Sequence, residues 1–378
     1  MNCGRLATAF NHVAAESRRG WPIRSRKDIL SRHSKRTPAA TTAIREVWIC
    51  CSPKAGSGAG RDQITRTREA LTRSGIQAEW TTDISELRRA LADAENDKAV
   101  VAAGGDGTAA LVAETVPPHV PIVPLPLGTE NLLARYFGYS SLAEDTAATI
   151  VGNQRFQIDA GKVGDRLFLV MLTAGFDAEV VRAMHLTRRG HIRRWSYAFP
   201  IWRAIRRYKF PSLNVRTSQD ADGPVRPQSN ESAHQACWAM VFNLPCYATS
   251  LAIEPAAVPD DGWLDCITFE KGRVLQGLGY LVRIALKRHL HHPHIRRQKV
   301  RRLWLTSPIR TPYQIDGDYG GRLPVEITWL PNRVTLLQSC RADGQPVKAP
   351  GIRPRDIAES VIGKSGANRN TATHERLD

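Results

Sequence analysis

Gly104-Gly105-Asp106-Gly107-Thr108 stand between an apolar run, Ala99–Ala103, and Ala109-Ala110-Leu111-Val112-Ala113-Glu114. The first run predicts a short buried strand and the second a helix. A strand, a glycine turn and a helix N-terminus together suit a phosphate. Backbone without a Cβ can approach the anion closely, and the first helical N–H groups point at it unpaired. Asp106 adds a carboxylate able to hold a Mg²⁺-bound water or to take a proton. An ordinary βα turn uses the same residue types, so the neighbouring loops matter. Ser52-Pro53-Lys54-Ala55-Gly56-Ser57-Gly58 follows the apolar run Val47–Cys51, and Gly128-Thr129-Glu130-Asn131 follows Pro121–Leu125. In a parallel sheet all three loops open at the carboxyl ends of strands, where ligands bind. Their convergence predicts a nucleotide-phosphate site. It is not a Walker A loop, because Gly-Lys-Ser/Thr is absent.

The elements that position these loops alternate. Helical spacing over 61–74 and 86–94, strands at Gln77–Thr81 and Pro121–Leu125, and a helix at Leu132–Tyr136 predict a parallel α/β domain over 45–155. Residues 156–344 read instead as a mostly antiparallel β-sandwich. Its strands fall at Phe156–Val163, Leu167–Leu172, Ser212–Thr217, Cys237–Asn243, Trp263–Phe269, Lys299–Leu305, Gln314–Ile315, Pro324–Trp329 and Arg333–Leu337. Helical insertions are expected near 178–207 and 274–289, and a polar mobile loop at 219–234. Residues 1–44 are basic and aperiodic, which predicts a disordered extension. They lack the long apolar stretch of a signal peptide. Residues 345–378 read as a disordered tail.

The 378 residues carry a formal net charge of +17, which suits nucleic acid, an anionic membrane or an anionic small substrate. No zinc, RRM or helix-turn-helix signature is present, so nucleic acid is not expected. No apolar run reaches the length of a membrane span. The seven cysteines are scattered, which predicts reduced thiols in a cytosolic protein rather than disulfides or zinc. Cys50 and Cys51 read as small residues of a buried strand. His289, His291, His292 and His294 lack accompanying carboxylates or cysteines and read as a solvated basic helix end.

Taken together, the motifs resemble the diacylglycerol kinase catalytic-domain family over roughly residues 45–340. Ser52-Pro53-Lys54-Ala55-Gly56 is similar to its Asn-Pro-x-Ser/Ala-Gly loop, Gly104–Thr108 to its second motif and Gly128–Asn131 to its Gly-Thr-x-Asn. Farther on, Gly175-Phe176-Asp177-Ala178, Asp260-Asp261-Gly262-Trp263-Leu264-Asp265 and Asp316-Gly317-Asp318 resemble Gly-Phe/Ile-Asp-Ala, Asp-Asp-Gly-x-Leu-Asp and Asp-Gly-Glu. The resemblance implies an α/β nucleotide-binding domain of the phosphofructokinase and NAD kinase kind, followed by the β-sandwich. It implies ATP-dependent phosphorylation of a lipid hydroxyl, with ATP and Mg²⁺ as cofactors. ATP contacts carry over to Ser52, Pro53, Lys54, Ala55, Gly56, Thr81, Gly104, Gly105, Asp106, Gly107, Thr108, Ala109, Ala110, Thr129 and Asn131. A structural Mg²⁺ carries over to Asp261, with Val258 and Trp263 through their main chain. Asp318 takes the place of the proton acceptor. The chain departs from the family pattern at Ser52, at Ala110 and at Asp318, where the family has Glu.

On this reading Asp318 or Asp106 receives the hydroxyl proton and Asp316 orients that centre. Without the resemblance, Asp316-Gly317-Asp318 reads as a hairpin turn. The lipid requires a membrane contact. Residues 182–210 hold nine Lys/Arg with interleaved aromatics, and 287–302 form a second acid-free basic run. Such segments bind anionic headgroups, although charge runs are also ordinary solvated faces. The expected place is the cytoplasm, peripherally at the inner face of the membrane. Members of the family it resembles are often homodimers, and the sequence leaves the oligomeric state open. Two other readings share these motifs: an NAD kinase-like enzyme acting on a soluble substrate, and a catalytically weak lipid- or nucleotide-binding protein.

Overall fold

The computed structural model describes residues 42–52, 59–187, 210–220, 231–247, 253–272 and 292–347, with 208, 280, 283, 289 and 290 as single positions. The loop residues Pro53, Lys54, Ala55 and Gly56 lie outside them. So do most of 182–210, most of the insertion expected at 274–289, and the two terminal segments up to 41 and from 348.

Four strands run parallel in the order β2-β1-β3-β4: β1 Glu46–Cys51, β2 Gln77–Thr81, β3 Lys98–Gly104 and β4 Ile122–Pro126. Val47, Ile49, Val100, Val101 and Leu125 are almost wholly buried, as expected of strands covered on both faces. Cys50 and Cys51 are buried with them. The connecting helices are α1 Ala59–Arg73, α2 Ile84–Ala90, α3 Asp106–Thr115 and α4 Leu132–Phe137, and α5 Ala143–Gly152 leads into the second half.

The second half adds strands to the same sheet and builds another. β5 Arg155–Val163 and β6 Arg166–Phe168 form a hairpin. β16 Val325–Leu337 returns from the far end of the chain and lies between β4 and β5, parallel to the first and antiparallel to the second. β13 Arg302–Thr306, β8 Leu213–Ser218 and β9 Glu231–Ala236 continue that sheet outward. The other sheet is antiparallel, in the order β12-β11-β10-β7-β14-β15: Ile295–Val300, Leu264–Phe269, Trp238–Phe242, Met171–Ala174, Pro312–Ile315 and Asp318–Arg322. Phe168, Leu172, Val241, Leu303, Leu305, Ile315 and Ile327 fill the space between the two sheets. The architecture is therefore a parallel α/β layer followed by an antiparallel, sandwich-like β region. α6 Phe176–Thr187 follows β7.

Several sequence expectations change. Lys299–Leu305 is two strands in different sheets, parted at Arg301, whose N–H donates to the Ser218 carbonyl. Pro324–Trp329 and Arg333–Leu337 are one strand with an irregularity between Leu330 and Val334, where Asn332 takes a left-handed φ of 46°. Leu167–Leu172 divides into β6 and β7. Residues 231–234 of the expected polar loop belong to the strand β9, which is paired along its length with β8. His289 is buried, its ring nitrogen 2.7 Å from the Ile253 carbonyl, so it is not part of a solvated helix end.

Candidate active site

β3 ends at Gly104, Gly105 caps α3 with extended backbone, and Asp106 opens the helix. The turn is tight: a Cβ at Gly128 would lie 2.7 Å from the Gly105 Cα. The glycine turn and the 128–131 loop therefore touch backbone to backbone, which only glycine at 128 permits. Asn131 closes that loop on itself. Its Oδ1 accepts from the Gly128 N–H at 3.0 Å and its Nδ2 donates to the Gly128 carbonyl at 2.8 Å. Thr129 beside it is exposed.

Asp106 binds across this junction. Its two oxygens accept the Leu132 and Leu133 N–H groups at 2.9 and 2.8 Å. A carboxylate on the first turn of α3 thus caps α4, in line with the preference of helix N-termini for anions. Burial raises its pKa, Glu130 adds to this, and the two amides pull the other way. Ala109 and Ala110 point into the core and can offer a ligand only backbone. Thr81, at the end of β2, is buried; its hydroxyl donates to Glu86 and accepts the Asp83 N–H. Ser52 follows the end of β1 as a half-buried residue.

The distant Asp316-Gly317-Asp318 comes to the same place. Asp316 and Gly317 have φ of 47° and 88°, and Ile315 pairs with Asp318. This is the two-residue hairpin turn that right-twisted strands favour. Asp318 is exposed, and its Oδ2 lies 2.7 Å from where a Cβ on Gly107 would stand. The acid of the second half thus rests on the first turn of α3. Asp316 points the other way. It accepts the Leu169, Val170 and Met171 N–H groups at 2.8, 3.0 and 2.8 Å. Burial pushes its pKa up to about 7, the amides oppose this, and the Asp106 carboxylate adds to the rise.

A second cluster holds the hairpin from behind. Gln314 accepts the Gly317 N–H at 2.7 Å, and its amide nitrogen lies 3.5 Å from the buried Asp177. Asp177 also accepts from Thr173 at 2.6 Å and from the Tyr247 hydroxyl. Sequence reasoning singled out Asp177 only as part of a motif and missed Gln314, a polar residue inside an apolar strand. It also missed Asp159. This buried acid accepts the Gly262 N–H, the Trp329 indole N–H and the Asn332 N–H at 3.1, 2.9 and 2.8 Å. A carboxylate flanked by Ile158 and Ala160 inside β5 was the available signal.

The Asp260–Asp265 turn lies against β12. Lys299 Nζ is 2.6 Å from Asp261 Oδ2 and 3.4 Å from Asp265 Oδ2. Arg301 donates to the Gly262 carbonyl and stacks between Trp263 and Trp329 at 4.3 and 4.9 Å from their centroids. Val258 is buried. An ammonium group already holds Oδ2 of the carboxylate expected to ligate a divalent ion, so the set does not fit one at that oxygen; Oδ1 is buried without a hydrogen-bond partner. Among the described residues no group of three or more His, Cys, Asp or Glu side chains is placed to hold a metal.

Two family models match the chain. The diacylglycerol kinase catalytic domain covers residues 46–163, and the YegS C-terminal NAD kinase beta sandwich-like domain covers 170–338. Residues 46–163 belong to the diacylglycerol kinase catalytic-domain family. It is 24% identical over 249 residues to diacylglycerol kinases of Staphylococcus aureus strains RF122 and JH9, spanning 64% of this chain and 75% of theirs. A solved diacylglycerol kinase structure from Bacillus anthracis superposes with a TM-score of 0.58 at 18% identity, covering 79% of this chain and 98% of that one. That likeness supports the fold. With both halves matched by family models, the chain is an enzyme of a kinase family, and its glycine turn and Asp318 lie on facing elements of the two matched regions.

Proposed function

We propose that this kinase transfers the γ-phosphate of ATP to the hydroxyl of a lipid such as diacylglycerol. The observation that carries the reading is the meeting of Asp318 with Gly107, which sets an exposed carboxylate beside a phosphate-binding turn. Backbone amides of 104–108 and the loop around Lys54 would hold the phosphates, with Ser52, Thr81 and Thr129 around the nucleotide. Bound Mg²⁺ would neutralise phosphate charge, with Asp106 reaching it through water. The lipid oxygen bonds to the γ-phosphorus as the bond to the ADP oxygen breaks, and Asp318 receives its proton. Asp106 keeps α3 and α4 in register, and Asp316 fixes the loop at 169–171.

The basic composition supports a peripheral contact with anionic membrane. No helix among the described residues is long and apolar enough to span one. In the 292–302 part of the second basic run, Arg297, Lys299, Arg301 and Arg302 meet acids or aromatic rings of the protein. The membrane contact therefore rests chiefly on 182–210.

The test is transfer of labelled phosphate from ATP to a panel of diacylglycerol, monoacylglycerol, sphingosine, ceramide and phosphatidylglycerol in mixed micelles. NAD and fructose 6-phosphate run beside them. Label in one lipid supports the reading and names the acceptor. Label only in NAD or the sugar phosphate replaces it with a soluble-substrate kinase.

A further inference from the structure

We propose that Lys299 is a built-in counter-ion that makes the Asp260–Asp265 turn independent of bound metal. The inference goes beyond the kinase reading and stands without it. It begins with the alternation Arg297-x-Lys299-x-Arg301. In a strand, alternate residues share a face, so Arg297 and Lys299 of β12 go to one side, and Arg301, just past the end of the strand, reaches the same turn. All three find the same acidic region. Arg297 forms a two-pronged pair with Glu254, 2.6 Å from Nε and 2.5 Å from an Nη. Lys299 stands directly opposite Asp265 in the ladder and reaches past it to Asp261. Arg301 covers Gly262 between its two tryptophans.

The Lys299, Asp261 and Asp265 side chains are 14%, 15% and 9% exposed. Carboxylates so enclosed need a positive partner. An ammonium on a flexible stem has three donors, enough to serve both acids at once. A divalent ion on Asp261 would sit beside a cation already 2.6 Å from that carboxylate, and like charges oppose each other. Asp261 Oδ1 is buried without a hydrogen-bond partner. With a neutral residue at 299, Asp261 Oδ2 and Asp265 Oδ2 would lose their cation, beside an Asp261 Oδ1 that has no partner already. That leaves a set of hard oxygens that suits Mg²⁺ or Ca²⁺.

The full-length protein without nucleotide is measured for metal content by plasma mass spectrometry and for Tm. Tm is read in EDTA and in millimolar Mg²⁺ or Ca²⁺. We expect wild type to hold no stoichiometric divalent ion and to melt at one temperature in all three. Lys299→Met should melt lower in EDTA and regain roughly 5 °C with the ions. The double variant Asp261→Asn/Lys299→Met should be folded and indifferent to metal. One retained equivalent of divalent ion in wild type, with a Tm lowered by EDTA and both effects lost in Asp261→Asn, would overturn the proposal. So would a Lys299→Met protein as stable in EDTA as wild type. If Lys299→Met fails to fold, the metal content and EDTA response of wild type decide.

Discussion

Gly107 separates activity from stability more cleanly than any acid in the site. A methyl group there would occupy space 2.7 Å from Asp318 Oδ2. The side chain it meets is exposed and can swing away, while alanine favours the helix by about 0.5–1 kcal/mol. Gly107→Ala should therefore melt no lower than wild type yet lose transfer activity tenfold or more, roughly the cost of a carboxylate misplaced by about 1 Å. A Tm scan beside initial rates checks both. Asp316 gives a different signal. Its folded pKa, about 7, lies above the ordinary carboxylate value of 3.8, so folding favours its protonated form. The stability it contributes is complete below pH 4 and is lost as pH rises through 7. Tm of wild type should fall over that window. Asp316→Asn should show a flatter profile from a lower start, since it weakens acceptance of three backbone N–H groups, at about 1–3 kcal/mol.

Elements are joined here by acids that cross between them. Asp106 ties α3 to α4, Asp316 ties the β14–β15 hairpin to the start of β7, and Asp159 ties β5 to the 260–265 turn and to β16. Asp159→Ala would strand the Gly262, Trp329 and Asn332 donors and should cost about 3 kcal/mol, read by urea denaturation. Much of this scaffold was legible in the sequence. The parallel strands are continuous apolar runs, and each glycine loop follows one of them. What escaped had physical causes. β9, Glu-Ser-Ala-His-Gln-Ala, is a polar edge strand held by ladder hydrogen bonds rather than by apolar burial. α5 carries two threonines and ends Ile-Val-Gly, β-branched residues that weaken a helix signal. The passage from β12 to β13 shifts its alternation at Arg301-Arg302, from the buried Val300 to Leu303 and Leu305, and two adjacent arginines are the one local mark of the change of sheet. Side-chain partnerships such as Gln314 with Gly317, or Lys299 with Asp261, join positions that no local period relates.

At the scale of the whole molecule, β16 is the decisive strand. It carries the end of the sandwich back beside β4 and makes one sheet of the parallel and antiparallel halves. That closure, with the core shared between the halves, lets a hairpin near residue 317 rest on a helix that begins at residue 106. The site was legible as six motifs in order, but their meeting was not, because it depends on this return. The central question is whether this meeting point transfers phosphate. The direct measurement is labelled transfer from ATP to diacylglycerol in mixed micelles by wild type, Asp318→Asn and Asp318→Glu, with nucleotide binding followed in parallel. The account predicts label with wild type, a loss of at least a hundredfold in kcat for Asp318→Asn with nucleotide affinity kept, and substantial activity in Asp318→Glu. Wild-type rates in Asp318→Asn would contradict it.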